Sequence, residues 1–165
     1  KDFRNKNRIR KIILADLDMQ VDVLLEFEGE LKNLRQHIEG VNYGLDTYQP
    51  YKIAHSDNVY KSNTMIEYHL TFGDNLFIRF QALYEKLMIL KLGQASKIWN
   101  DFYDGITLII ESDRYKPQDK ATYMNDTRRL NISIIERTIY IKDEILEEIL
   151  LLKKDIKKIG LEPFY

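Results

Sequence analysis

The feature that most constrains the fold is a long heptad pattern at each end of the chain. In the first pattern, apolar residues recur at alternating spacings of three and four, with only Gln20 interrupting them: Ile13, Leu17, Leu24, Phe27, Leu31, Leu34 and Ile38. This spacing places the side chains on one face of an α-helix. We therefore predict a helix over residues 8–39, about 48 Å long at 1.5 Å per residue. Gly40 should end it, because glycine readily adopts the left-handed cap conformation.

The second pattern predicts a helix over residues 118–159, which Gly160 and Pro163 should end. Its seam is formed by Ile135, Thr138, Lys142, Ile145, Ile149, Leu152, Ile156 and Ile159. A second apolar row should widen the buried face, and consists of Ile134, Ile141, Leu146 and Leu150. So wide an apolar face needs neighbouring helices on both sides.

Two shorter helices are predicted between the long ones. The first covers residues 64–92. It can be divided at Phe72-Gly73-Asp74, where Asp74 would cap a new helix by accepting a hydrogen bond from the Phe77 amide. Its inward residues should be Ile66, Leu70, Leu76, Phe80, Leu83, Leu87 and Leu90. The second covers residues 94–111 and should turn inward Ile98, Phe102, Leu108 and Ile109, with Trp99 beside them. Residues 40–63 lack a sustained period, so we predict a crossover loop with a short helical turn near 57–61.

These elements predict an all-α fold, an antiparallel four-helix-type bundle with long first and last helices, forming a single domain over residues 1–165. Short connections between helices favour antiparallel neighbours. Both termini should then lie at the same end of the bundle. The basic N-terminal residues and the cluster Lys153, Lys154, Lys157 and Lys158 would lie side by side there.

Composition excludes several function classes. The net charge of −1 provides no overall field that would attract nucleic acid. The absence of cysteine excludes disulfides, thiolate zinc sites and thiol nucleophiles. No uncharged apolar run approaches the ~18 residues that a membrane-spanning helix needs, so we expect the chain as given to be soluble.

The N-terminal segment, residues 1–11, is strongly basic. It contains one acidic residue, Asp2, against six basic ones: Lys1, Arg4, Lys6, Arg8, Arg10 and Lys11. Under the positive-inside rule such a cluster is typical of a juxtamembrane segment, and we predict that it contacts an anionic membrane surface. Because the sequence does not begin with Met, we expect it to be the remainder of a longer protein, in which a membrane span, if there is one, would lie upstream of Lys1. The basic segment has two alternative interpretations: it is the solvent-exposed first turns of a helix without a partner, or it is an arm that binds nucleic-acid phosphates.

No constellation of residues points to catalysis, a cofactor or a metal. A di-metal helical bundle needs Glu-x-x-His, and the residues three positions before His37, His55 and His69 are not glutamates. Phosphate-binding loops and nucleophile elbows are also missing. Two sets of residues leave a ligand pocket open as an alternative to core packing: the aromatic group Tyr84, Trp99, Phe102 and Tyr103, and the polar seam residues Gln20, Thr138 and Lys142. Gln20 and Lys142 could instead set register between subunits.

Three stretches of the sequence resemble known proteins: the basic segment Arg8 to Lys11 at the start of the first helix, the segment Glu30-Leu31-Lys32-Asn33-Leu34, and the amphipathic segment Phe80 to Leu90. With the overall layout, they resemble bacterial membrane-anchored proteins with a cytosolic all-helical domain of unknown function. The resemblance implies a location at the cytoplasmic face of the inner membrane. Some proteins of this layout are similar to membrane-linked effectors in phage defence.

These observations predict a non-enzymatic helical interaction or sensor module that acts by protein–protein association. Its partner would be another protein or a second copy of the chain, with an anionic membrane surface as a further contact and without nucleic acid. Two other functions stay open: a bundle that senses a small ligand, and the effector domain of a phage-defence system. The site residues we predict are the six basic ones of the N-terminus; we predict no catalytic, cofactor-binding or metal-binding residue.

Overall fold

A computed structural model describes residues 2–40, 64–91 and 94–159 of the chain. These residues form five α-helices, and no strand occurs among them. The prediction of an all-α protein is therefore confirmed. The helices are α1 (Asp2–Gly40), α2 (Thr64–Phe72), α3 (Asp74–Lys91), α4 (Gln94–Glu111) and α5 (Pro117–Lys158).

Helix α1 has 39 residues and begins earlier than the heptad pattern predicted. The additional residues contain neither Gly nor Pro, so nothing in them opposes continuation of the helix. All seven predicted seam residues of α1 are buried, and Ile9 extends the seam toward the N-terminus. Gln20 is also fully buried on this seam.

Helix α5 has 42 residues and starts at Pro117, where the missing amide hydrogen costs nothing because the first turn has no partner for it. The predicted seam is buried from Ile135 to Ile156, and Ile159, beyond the helix end, is half-buried. The prediction for the second apolar row is wrong. Leu146 is half-buried, whereas the other three members are exposed: Ile134, Ile141 and Leu150. The neighbouring helices therefore cover a narrower face of α5 than its apolar residues would allow.

The predicted division between α2 and α3 occurs at Gly73, whose φ of 86° lies in the left-handed region. The Tyr68 and Phe80 rings are 5.1 Å apart. Twelve residues of straight helix would separate them by about 18 Å, so α2 folds back against α3. The capping prediction was wrong: the Phe77 amide donates to the Gly73 carbonyl, while Asp74 contacts His69.

The inward face of α2 differs from the prediction. Met65 and Tyr68 are buried, whereas Ile66 and Leu70 are exposed. In α3 the prediction holds better: Leu76 is half-buried, and the later seam residues are buried, namely Phe80, Leu83, Leu87 and Leu90. The reason is that α2 is only nine residues long and buries one side, on which the aromatic ring of Tyr68 packs against Phe80.

Helix α4 has the predicted bounds, and its predicted core is mostly confirmed. Ile98, Trp99, Phe102 and Ile109 are buried. Leu108 is exposed instead of buried, and Ile106 is buried in the same turn. The face of α4 that packs inward is therefore rotated relative to the predicted one.

The chain divides into two compact units. Within the described residues, the first unit contains α1 up to Leu25, all of α2 and α3, and α5 from Lys142. The second unit contains α1 from Glu26, all of α4, and α5 up to Ile141. The predicted crossover covers residues 40–63. Gly40 is the last residue of α1, and residues 41–63, which include the predicted helical turn, lie outside the described residues.

Candidate functional site

The predicted basic residues lie on the first turns of α1. Arg4, Lys6, Arg8 and Lys11 are exposed and Arg10 is half-buried, whereas Lys1 lies outside the described residues. Ile9 and Ile13 are buried between them. Since Ile9 and Ile13 share one face of the helix, the cations occupy the remaining, outward part of its circumference.

A second group of cations lies on the last turns of α5 in the same unit. Lys153 forms an ion pair with Asp18 of α1, which joins the two helices. Lys154, Lys157 and Lys158 are exposed. Lys158 lies only about 7.5 Å along the helix from Lys153. The last turns of α5 thus add positive charge to the unit that holds the basic turns of α1.

Two further ion pairs bring α2 and the start of α3 to these basic turns. Arg8 contacts Glu67 of α2 at 2.9 Å, and Arg79 of α3 contacts Asp155 of α5 at 2.7 Å. We define the basic end of the first unit as residues 4–11 of α1, α2, residues 74–79 of α3 and residues 153–158 of α5.

The basic end also carries exposed aliphatic side chains. Ile66 is 62% exposed, Leu70 is 81% exposed, and Ile78 of α3 is 60% exposed. Ile66 and Leu70 are four residues apart and therefore share one face of α2. Sequence reasoning missed this feature because it assigned both to the core. The signal that could have found it is the alternative pair Met65 and Tyr68, which has equally good helical spacing.

The polar groups at the basic end are held by local contacts. The hydrogen bond from Arg79 holds the pKa of Asp155 below its usual value, and the nearby lysines Lys154 and Lys158 act in the same direction. His69 of α2 lies 2.5 Å from Asp74 and stacks on the Phe77 ring at 4.4 Å. The contacts of His69 thus join α2 to α3, and the Arg79–Asp155 pair joins α3 to α5.

The second unit has an apolar stripe along α5, which we define as Tyr123, Leu130, Ile134 and Ile141. All four side chains are exposed. At 100° per residue they point within about 40° of one another around the helix. The last two belong to the row that was predicted to be buried. Arg137, which is also exposed, lies on the same face.

A groove of about 350 Å³ lies between α3 and α5 in the first unit. Its lining is both apolar and charged: Arg79, Ala82, Leu83, Lys86, Glu148, Leu151 and Leu152. Lys86 and Glu148 form an ion pair of 2.7 Å within it. None of the polar seam residues proposed from sequence as the start of a ligand cavity lines this groove.

The polar seam residues are instead buried among core residues. Thr138 donates its hydroxyl to the Ile134 carbonyl at 2.8 Å, and Lys142 forms an ion pair with Asp143. The predicted aromatic group is split between the units. Trp99 contacts Phe102 and Tyr103 in the second unit, whereas Tyr84 contacts Phe80 in the first: the ring centroids are 5.7, 6.1 and 4.7 Å apart, respectively.

The part of the chain that the structure describes contains neither a metal-type cluster nor a helix suited to cross a membrane. Across residues 2–40, 64–91 and 94–159, no three His, Cys, Asp or Glu side chains come together as a metal ion would require. None of the helices in these ranges combines the length and the apolar composition needed to cross a bilayer. No protein-family model, curated protein or solved structure matches the chain.

Proposed function

We propose that this protein is a non-enzymatic helical interaction module that acts by protein–protein association at the cytoplasmic face of a bacterial inner membrane. Its described helices would form an antiparallel four-helix-type bundle. Support for opposite helix directions comes from α3 and α5, where Arg79 pairs with Asp155 and Lys86 with Glu148. Residue numbers thus rise along one helix as they fall along the other.

The observation that carries the association is the apolar stripe on α5. Isolated exposed apolar residues are ordinary on a protein surface, but four aligned on one helical face mark a surface that gains free energy when a partner covers it. The spacing of seven between Tyr123 and Leu130, and again between Ile134 and Ile141, matches the repeat by which helices pack along a seam. A second copy of the chain would offer the same repeat, so self-association is the first form to test.

The test is the molar mass measured by light scattering across a dilution series. We expect a mass above that of the 19.7 kDa chain, falling on dilution. The double variant Leu130→Lys/Ile134→Lys should be monomeric, because it places two charges on the stripe. The matched control Leu25→Lys changes an exposed leucine of α1 and should leave the mass unchanged. A strict monomer at every concentration would refute self-association.

The basic end supports a second contact, with an anionic membrane surface. The proposed contact residues are those expected from the sequence: Lys1, Arg4, Lys6, Arg8, Arg10 and Lys11. Each basic residue near an anionic leaflet contributes about 1 kcal/mol of attraction, which salt screens within a Debye length. Co-sedimentation with phosphatidylglycerol vesicles should therefore decrease steeply as salt is raised. Equal binding to vesicles of phosphatidylcholine alone would contradict this electrostatic contact.

A further inference from the structure

We infer that α2 inserts the side chains of Ile66 and Leu70, and α3 that of Ile78, into the interface of an anionic lipid bilayer. The inference rests on the membrane contact proposed above and deepens it, because it adds an apolar anchor to the electrostatic attraction. The helical spacing of the sequence had assigned two of these residues, Ile66 and Leu70, to the core.

The first step of the argument is which residues of α2 are open to the surroundings. Among its side chains described by the structure, Ile66 and Leu70 are the only exposed ones, and both are aliphatic. The polar Glu67 and His69 are half-buried. An ordinary surface helix has the reverse arrangement, with polar residues outward and aliphatic residues inward. The outward face of α2 is thus suited to an apolar environment.

The second step is that the neighbouring polar groups of α2 already have partners within the protein. Glu67 pairs with Arg8, and His69 contacts Asp74. Placing this face at the boundary between headgroups and acyl chains would therefore not require an isolated carboxylate to lose its water. The protein itself provides the compensating contacts.

The third step is the charge around the aliphatic side chains. Exposed cations lie on both helices that α2 and α3 contact through ion pairs: Arg4, Lys6 and Lys11 on α1, and Lys154, Lys157 and Lys158 on α5. Cations flanking a row of bulky aliphatic side chains are typical of surfaces that lie in the plane of an anionic membrane. Charge brings the surface to the headgroups, and the aliphatic side chains then bury apolar area.

A bilayer fits these residues better than a nucleic acid does. Single-stranded nucleic acids are bound by cations together with aromatic rings on which the bases stack. At the basic end the exposed apolar side chains are aliphatic, whereas the aromatic ring of Tyr68 is fully buried and those of Phe72 and Phe77 are half-buried. Aliphatic side chains gain free energy in a hydrocarbon environment and have no flat face for a base.

The contacts that hold α2 against α3 do not involve its exposed side chains. Tyr68 anchors it to α3 through a ring contact with Phe80 at 5.1 Å, and its hydroxyl donates to the Leu76 carbonyl oxygen at 3.4 Å. Gly73 provides the backbone turn. Substitution of Ile66 or Leu70 removes none of these contacts, so polar variants at the two positions should fold as the parent protein does.

The experiment measures partition of the full chain into vesicles of phosphatidylcholine with and without phosphatidylglycerol, at low and high salt. The test variant is Ile66→Ser/Leu70→Ser. The matched control is Leu25→Ser/Ile89→Ser, which changes the same residue types at exposed positions of the first unit outside the basic end. We expect the test variant to lose at least about tenfold in partition, since each aliphatic side chain gains by burial, and the control to lose less than about twofold.

A second readout reports insertion directly. Because the chain has no cysteine, Leu70→Cys gives a single labelling position for an environment-sensitive fluorophore, and Ile89→Cys gives the control. With anionic vesicles the label at position 70 should brighten and shift to the blue, while the label at position 89 should not change. Circular dichroism of each variant confirms that the helices are intact.

The outcomes separate this inference from the proposals on which it rests. Salt-sensitive binding that is equal for the parent and the Ile66→Ser/Leu70→Ser variant would overturn the insertion and leave the electrostatic contact standing. Absence of binding to anionic vesicles would overturn both, and would leave the association proposal to its own measurement of mass. Salt-sensitive binding to an oligonucleotide but not to vesicles would overturn the inference in favour of a nucleic-acid arm.

Discussion

Replacement of Gly73 by alanine tests the corner that positions α2. The residue has a φ of 86°, a conformation in which a Cβ atom is strained. Nothing lies within 4 Å of the position that a Cβ would occupy, so the effect should come from the backbone alone. The substitution therefore isolates one physical cause.

The magnitude follows from two opposing effects. The left-handed conformation costs a residue with a Cβ about 1–2 kcal/mol. Alanine also reduces the conformational entropy of the unfolded chain, which returns about 0.4–1 kcal/mol. We expect a net decrease of about 1 kcal/mol in the free energy of unfolding. Gly73→Asn should be milder, because asparagine tolerates this conformation better than alanine does.

Gly29→Ala is the matched control because it makes the same chemical change at a position with helical backbone conformation. Gly29 lies within α1, is exposed, and has open space around the added Cβ. Alanine should stabilise the protein there by about 1 kcal/mol through helix propensity. Urea unfolding followed by circular dichroism at 222 nm measures both variants. If Gly73→Ala stabilised the protein as Gly29→Ala should, α2 and α3 would form one continuous helix and the reasoning would be wrong.

Three further predictions concern packing and charge. Phe102→Ala removes a fully buried ring and should lower the free energy of unfolding by about 3–5 kcal/mol in the same urea assay. Gly105→Ala should stabilise less than Gly29→Ala does, because its Cβ would lie 3.3 Å from Cγ2 of Thr127; equal stabilisation would mean that Thr127 moves freely. The hydrogen bond from Arg79 lowers the folded-state pKa of Asp155. The ionised Asp155 therefore stabilises the folded protein above the ordinary carboxyl pKa of about 4, and this contribution is lost as the pH falls through the folded-state pKa. Thermal melts between about pH 5 and pH 2 should therefore decline less steeply for Asp155→Asn than for the parent; identical slopes would exclude this contribution.

The long helices could be predicted because their apolar period is sustained over many turns. In α1 every predicted seam residue is buried, since a shift of the seam by one position would expose several large side chains at once. The same constraint confirms most of the seam of α5. The apolar period predicts burial even for the charged residue Lys142, which occupies a seam position and is only 1% exposed.

The short helix α2 could not be predicted in the same way. Over nine residues the pairs Ile66/Leu70 and Met65/Tyr68 give equally good helical faces, so periodicity does not decide between them. The decision comes from the turn at Gly73, which brings Tyr68 onto Phe80. That contact is tertiary, and no local pattern contains it.

The candidate site shows the same division between local and tertiary information. Its cations were predicted as a cluster because charge is visible in the sequence. The ion pairs Arg8–Glu67 and Lys153–Asp18 join residues 59 and 135 positions apart, and no sequence signal specified either pair. The aliphatic part of the site was missed because a pattern assigns apolar residues to the core unless a neighbour is known to be absent.

The exposed isoleucines need an explanation beyond the helices that carry them. Ile66, Ile134 and Ile141 lie at open positions, where lysine, glutamate or glutamine would form a better helix than a β-branched residue. Neither helix propensity nor the core of the described residues accounts for isoleucine there. Exposed apolar side chains that share one face gain free energy when a further contact buries them. The predicted core failed at the single residues Leu108 and Leu150. It also failed where several exposed apolar side chains share one face, on α2 and along the stripe on α5. These two faces are the surfaces at which we expect contacts beyond the described residues, with lipid at the first and protein at the second.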